Sequence, residues 1–277
     1  MKILNRFPIK FLAILIFAAP LSAATVDGIQ LHSSVSGKGP KTIAFVHGWT
    51  CNDTTWKSQV PVLSKNYRVI TLDLPGHGQS GSPKDGKLSM DLFARAIEAI
   101  RLEEKVDKVV LVGHSMGTPV IIQYARLYPQ HTVALVFVDG LVSIPKTTAG
   151  SIFSPEQYAG PDGLKTRENL VRGMFSSATT AEMQKHILSM TLSAPAETAV
   201  GAMKAMIDPS IWKDDVFSTP VLGLYAEGST LGNPEYMKVR FPKLDYREIP
   251  GTGHFLMLEK PKEFNSLLLD FLSKLKF

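Results

Sequence analysis

Apolar runs of strand length alternate along this chain with longer stretches whose apolar positions recur at helical spacing. The runs are KTIAFV (41–46), RVITLD (68–73), KVVLVG (108–113), VALVFVD (133–139), PVLGLYA (220–226) and LDYREIP (244–250). Between them the spacing predicts helices around 54–65, over 92–100, over 119–128 and near 234–240, with a final helix over roughly 261–275. Such alternation predicts an α/β fold with a mostly parallel sheet and helices on both faces. Parallel neighbours need a crossover connection, and a helix fills it.

One segment breaks the alternation. From 141 to 216 no run reads as a core strand, and five of the ten methionines lie here (Met174, Met183, Met190, Met203, Met206). TAEMQKHILSM and ETAVGAMKAMI read as helices divided by Pro195. A structureless loop of that length is disfavoured inside a compact domain. The segment 141–216 is therefore expected to form a helical cap inserted into a core made of 25–140 and 217–277. Its flexible methionines suit packing and also the roof of a substrate site.

Composition changes this picture at the N terminus. MKILNRFPIK is a positive stretch, FLAILIFAAP is apolar but too short to span a bilayer, and LSAA supplies small residues for cleavage. Residues 1–24 are expected to be a cleaved secretory signal, with cleavage after Ala23 or Ala24 and export to a periplasm or beyond. No cysteine stands directly after the site, so no lipid anchor or stable membrane attachment is expected. The formal charge of +5 owes much to Lys2, Arg6 and Lys10; without them 27 Lys and Arg face 25 Asp and Glu. That balance argues against nucleic acid as a partner. Cys51 is the single cysteine, so no intramolecular disulfide is available.

The sharpest chemistry lies in VVLVGHSMGTP (109–119), where G-x-S-x-G follows an apolar strand and opens a helix. In such a strand–turn–helix the serine hydroxyl stands at the C-terminal edge of the sheet, and only glycine is tolerated beside it. The helix N terminus beneath favours negative charge. Ser115 is the candidate nucleophile.

At this point the chain resembles the α/β-hydrolase superfamily, from about Gly28 to the C terminus. FVHGW (45–49) looks like that family's oxyanion loop, DLPGHGQS (73–80) like its loop after the next strand, GHSMG like its nucleophile elbow, and GTGHFLMLEKPKEF (251–264) like its histidine loop and final helix. The four motifs occur in the family's order. The resemblance implies that the backbone N–H groups of Trp49 and Met116 form the oxyanion hole. His254, in the Gly-rich loop after the last strand, is the candidate base for a serine that needs one.

The third member is less direct. In the common family arrangement an acid follows the strand ending at Tyr225, in a pattern like G-x-x-D; here A-E-G-S puts Ser229 where that aspartate should be. Some members instead carry the acid at the end of the preceding sheet strand, and there VALVFVDG presents Asp139. Asp139 is the expected acid and Glu227 the alternative. His47, His77 and His114 read as structural histidines in motif loops, while His32, His131 and His186 carry no functional signal. No histidine pair has metal-ligand spacing, so neither a metal nor an organic cofactor is expected. The expected activity is that of a serine hydrolase on a small or medium, mainly apolar carboxylic ester or related acyl compound. Carbon–carbon bond hydrolysis, lactone or amide hydrolysis and cofactor-free perhydrolysis are alternatives on the same residues. A non-catalytic binder on the same fold is a further alternative.

Overall fold

The computed structural model describes residues 24–144 and 153–276. The expected signal segment lies, but for Ala24, outside the described residues. Nine strands are present among them: β1 Thr25–Val26, β2 Ile29–Gln30, β3 Ser33–Ser36, β4 Thr42–Val46, β5 Arg68–Leu72, β6 Val109–His114, β7 Thr132–Val138, β8 Val221–Ala226 and β9 Leu244–Ile249. β1 and β2 pair as an antiparallel ribbon, and the other seven form one sheet in the order β3-β5-β4-β6-β7-β8-β9. All neighbours in this sheet are parallel except β3 and β5.

The apolar runs are continuous because the central strands feed two cores. In β4, Ala44 and Val46 join one cluster and Ile43 and Phe45 the other; in β6, Val109 and Leu111 alternate in the same way with Val110 and Val112. This period-two alternation, with both faces apolar, is what burial of a parallel sheet under helices requires. One face is covered by α2 (Met90–Glu103) and α3 (Gly117–Leu127). The other is covered by α1 (Val60–Leu63), α8 (Leu256–Glu259) and α9 (Pro261–Ser273). The start of α2 is set by Ser89, whose hydroxyl accepts the Leu92 N–H at 3.1 Å and so satisfies one of the first-turn donors.

Two expectations need correction. The helix read around 54–65 is split into a 3₁₀ turn, Asp53–Trp56, and the single turn of α1. Asn52 accepts the Thr54 N–H and caps the first piece, and Pro61, which has no N–H to donate, starts the second. The strands β1 to β3 were not foreseen, because segments of two to four residues carry no readable period.

Between β7 and β8 the described residues form α4 (Gly163–Arg172), α5 (Ala181–Leu192) and α6 (Ala196–Ile207). Pro195 stands between α5 and α6 as expected. Parts of α4 and α6, with the stretch after α4, roof a cavity at the C-terminal edge of the sheet. The remaining helix, α7 (Pro234–Arg240), connects β8 to β9.

Candidate active site

β6 ends at His114 and α3 begins at Gly117, so Ser115 and Met116 alone turn the chain. The turn is compressed from both sides. A Cβ on Gly113 would lie 2.4 Å from the Gly117 carbonyl oxygen, and one on Gly117 would lie 2.5 Å from that of Val46. Ser115 itself has φ +53°, a left-handed conformation rarely adopted by residues with a side chain. Its N–H donates to Val138 at 2.9 Å, which anchors the strained residue to the neighbouring strand. The half-buried serine thereby stands at the sheet edge, over the N terminus of α3.

The loop after β4 is pressed against this turn. A Cβ on Gly48 would lie 3.0 Å from Ser115 Cβ, so glycine lets the Trp49 backbone approach the turn that carries Ser115. Trp49 is held from its far end too. Its indole N–H donates to the Ala199 carbonyl of α6 at 2.8 Å, and its ring lies 4.7 Å from that of Tyr158. The side chain is thus both a structural tie and part of the cavity wall. Met116 is fully buried directly after Ser115.

His254 follows β9 in a loop fixed at several points. Its N–H donates to Met174 at 3.2 Å, and the preceding Gly253 N–H donates to Glu259 Oε2 at 2.5 Å. The Thr179 hydroxyl donates to the other oxygen of the same buried carboxylate. His254 Nδ1 lies 2.7 Å from Asp139 Oδ2. A carboxylate can only accept, so Nδ1 carries the proton and Nε2 keeps a lone pair.

Asp139 closes β7 at φ +42° and is 3% exposed. Its Oδ1 accepts the Ala226 N–H at 3.1 Å. Burial pushes the Asp139 carboxyl up, but the hydrogen bonds from His254 and Ala226, with the electrostatic attraction of the adjacent imidazole, outweigh it and hold the group below the usual carboxylate range. Glu227, by contrast, is exposed at the same cavity. The structure brings Asp139, not Glu227, against the imidazole.

Ser115, Asp139, His254, Trp49 and Glu227 line one cavity of about 690 Å³. Its walls are mainly apolar, with Leu141, Phe153, Leu170, Phe175, Met203 and Met206 prominent, and no Lys or Arg is among the described lining residues. Of the five methionines in 141–216, Met174, Met203 and Met206 reach the cavity, while Met190 accepts the Thr55 hydroxyl through Sδ at 3.3 Å.

The remaining histidines are of two kinds. His47 and His77 pack together with ring centroids 5.0 Å apart, and burial lowers them to about 4 and about 3. His47 Nε2 accepts the Leu74 N–H at 3.0 Å, which ties the loops after β4 and β5 together. His114 is also buried, lowered to about 3 first by desolvation and then by the neighbouring His254 ring. Cys51 is a buried thiol pushed up to about 12, which makes it inert. His32 meets Asp53 and Asp73 in a small cluster whose members come from three separate segments, so linear spacing could not reveal it. Both Asp73 oxygens already accept backbone N–H groups, from Asp53 at 2.7 Å and Gln79 at 2.8 Å. Sequence reading also missed Glu259 and the contact of His114 with the histidine loop, since each acts on a residue distant in the chain.

The strained serine at a strand–helix turn, the buried imidazole–carboxylate pair beside it and the sheet order together define an α/β-hydrolase architecture. The chain belongs to the alpha/beta hydrolase family, whose pattern matches residues 43–267. It is similar to the 2-hydroxy-6-oxononadienedioate/2-hydroxy-6-oxononatrienedioate hydrolase of Cupriavidus pinatubonensis, 24% identical over 88% of this chain and 90% of that one. It is also 35% identical to the dihydrolipoyllysine-residue acetyltransferase component of the acetoin cleaving system of Cupriavidus necator, over 122 residues that make up 44% of this chain. That match spans about a third of the larger protein, 32% of its length. Among solved structures, one of an N-acyl homoserine lactone degrading enzyme superposes with a TM-score of 0.75 at 25% identity, covering 90% of this chain and all of that one. No helix among the described residues is long and apolar enough to cross a membrane.

Proposed function

We propose that the protein is an exported serine hydrolase that cleaves a neutral, mainly apolar carboxylic ester or lactone. The observation that carries this reading is the 2.7 Å contact of His254 Nδ1 with Asp139 in the cavity that Ser115 also lines. With the proton held on Nδ1, Nε2 takes the Ser115 hydroxyl proton as Ser115 Oγ attacks the substrate carbonyl. The Trp49 and Met116 N–H groups stabilise the oxyanion, and the helix N terminus of α3 adds to the same field. Collapse of the tetrahedral intermediate returns the proton from His254 to the leaving alcohol. Water, activated by the same imidazole, then releases the acid from Ser115.

The wall chemistry supports an ester over a dicarboxylate. The similar dienedioate hydrolase is named for a substrate with two carboxylates. No cationic side chain among the described lining residues would bind such a group, and Glu227 at the cavity would repel it. The similarity to a lactone-degrading enzyme agrees with cleavage of a cyclic or open ester. Residues 141–216 serve in this reading as the cap over the site, and residues 1–24 as the export signal.

An active-site phosphonate and a graded panel of esters, lactones and amides test the proposal. Ser115 should be labelled and neutral esters turned over, and Ser115→Ala should lose both. Labelling that survives Ser115→Ala, or the absence of turnover on every member of the panel, would overturn it. The N-terminal sequence of the mature protein from the exported fraction tests cleavage after Ala23 or Ala24.

A further inference from the structure

We infer that Glu259 is a positioning residue for the candidate base, its buried carboxylate fixing the loop that presents His254 against the segment after α4. The inference rests on the reading of His254 as that base.

The loop from Pro250 to His254 needs an anchor because of its composition. It contains Gly251 and Gly253, and glycine loses more freedom than any other residue when it is ordered. Gly251 uses that freedom, at φ +63°. Gly253 serves close approach: a Cβ on it would lie 2.7 Å from the Met174 carbonyl oxygen and 3.1 Å from the Ser176 nitrogen. The peptide leading into His254 therefore has no side chain of its own to hold it. Glu259, at the end of α8, supplies the hold. Its Oε2 accepts the Gly253 N–H at 2.5 Å, and its Oε1 accepts the Thr179 hydroxyl. The Thr179 oxygen in turn accepts the Ser176 N–H at 2.8 Å, which directs its proton to the carboxylate.

Both ends of this link are buried, Glu259 at 8% and Thr179 at 4% exposure. A carboxylate is kept out of water only where its oxygens are satisfied, and here each oxygen has a donor. The next residue, Lys260, donates from the exposed side to the Pro250 carbonyl at 2.6 Å. The end of α8 thus holds the loop at its start and again just before His254.

The consequence for the chemistry follows from this geometry. Asp139 orients the His254 ring and His114 holds its carbonyl, but both contacts require the backbone to stand at the right distance from Ser115. Without the Glu259 carboxylate the Gly253 N–H is unpaired and the loop can drift, and a misplacement of about 1 Å can cost on the order of a hundredfold in rate. Glu259 is not among the described residues that line the cavity, whereas Gly253, His254, Met174 and Ser176 are. Action through the base lowers kcat. Action through the cavity wall, the competing role, raises KM.

The experiment measures kcat and KM on p-nitrophenyl esters and the rate of phosphonate labelling of Ser115, each per titrated site, for Glu259→Ala, Glu259→Gln and Thr179→Val. A merely structural role lowers the number of active sites and not the rate at each one. Glu259→Ala should lower kcat about ten- to a hundredfold, with KM changed less than about twofold and labelling slowed in parallel. Glu259→Gln keeps an oxygen for the Gly253 N–H and can donate its amide to the Thr179 oxygen, so it should stay within about threefold of wild type. Thr179→Val frees the far end of the link and should show a smaller loss of the same kind; it carries the test if Glu259→Ala does not fold. In a His254→Ala background Glu259→Ala should add almost nothing to the loss of rate, while its lowered Tm should persist. The inference is overturned if these losses are absent at each titrated site, if KM alone rises, or if the full loss persists in the His254→Ala background. Should His254→Ala itself keep the wild-type rate, it is the assignment of the base that fails, a separately visible result.

Discussion

His114 Nε2 donates to the carbonyl oxygen of His254 at 2.9 Å, and the two imidazole rings lie 4.6 Å apart. The residue before the candidate nucleophile thus holds the loop of the candidate base, and the elbow and the histidine loop form one packed unit. Among the described residues the buried His114 Nδ1 has no hydrogen-bond partner, which keeps this ring neutral and its single proton on Nε2. Replacing His114 by Ala should remove the bond and leave a buried carbonyl unpaired, costing about 1–3 kcal/mol of stability. Thermal melts should show it as a lowered Tm, and kcat should fall with it. His114→Gln keeps an N–H at the Nε2 position and should be the milder change on both measures.

The two candidate acids should separate cleanly. Asp139→Asn should reduce kcat on a p-nitrophenyl ester by on the order of 10³–10⁴, because an amide can no longer stabilise the imidazolium. Glu227→Gln should change kcat by less than about twofold. The reverse pattern would move the acid to Glu227.

Acid should destabilise this fold at milder pH than carboxylate protonation alone predicts. His47, His77 and His114 are neutral in the folded protein, lowered to about 4, about 3 and about 3, whereas their unfolded value is near 6.5. A depressed folded pKa means that the unfolded chain binds more protons below pH 6.5. Stability is then fully present above that pH and falls as pH drops towards the folded values. Each ring contributes up to about 1.4 kcal/mol per pH unit in this window, so three of them lose on the order of 5 kcal/mol by pH 5. That is comparable with the whole stability of a typical domain. Urea midpoints measured from pH 7 down to pH 4.5 should fall steeply, and His77→Phe should flatten part of the slope. Equal midpoints across that range would contradict the prediction.

Charge at the cavity should be read out in substrate preference. Matched esters that differ only in a neutral or carboxylate-bearing leaving group should favour the neutral one. Glu227→Gln should narrow the gap by about two- to fivefold in kcat/KM, the scale expected of an exposed charge. The effect should shrink as salt is raised, because screening removes it. An unchanged ratio in Glu227→Gln would show that the charge takes no part in selection.

The parts of this protein that were readable from sequence are those whose signal is local. KTIAFV, KVVLVG and VALVFVD are continuous apolar runs because each strand feeds a core on both faces, and the structure places them as central neighbours. Gly113 and Gly117 mark the elbow because close backbone contacts exclude any larger residue there. Asp139 could be nominated only by noticing that Ser229 stood where an acid was expected. That the Ala226 N–H donates to Asp139 was beyond reach, since the two lie at the ends of adjacent strands separated by the whole 141–216 segment. The Glu259 hold on Gly253 and Thr179 was hidden for the same reason. At the other extreme, the break between Trp56 and α1 was lost because Asn52 capping and Pro61 work on a scale of one turn.

The Trp49 indole and the His254 N–H both end on carbonyl groups of the segment between β7 and β8, those of Ala199 and Met174. That segment is therefore not an interchangeable module. A chimera carrying another relative's insertion would inherit a new pocket but lose the two anchors that hold the loops after β4 and β9, unless it supplied a carbonyl at each place. Under the proposed function, substrate range and reaction rate are thus tied together in this chain, and a change made for one is expected to register in the other.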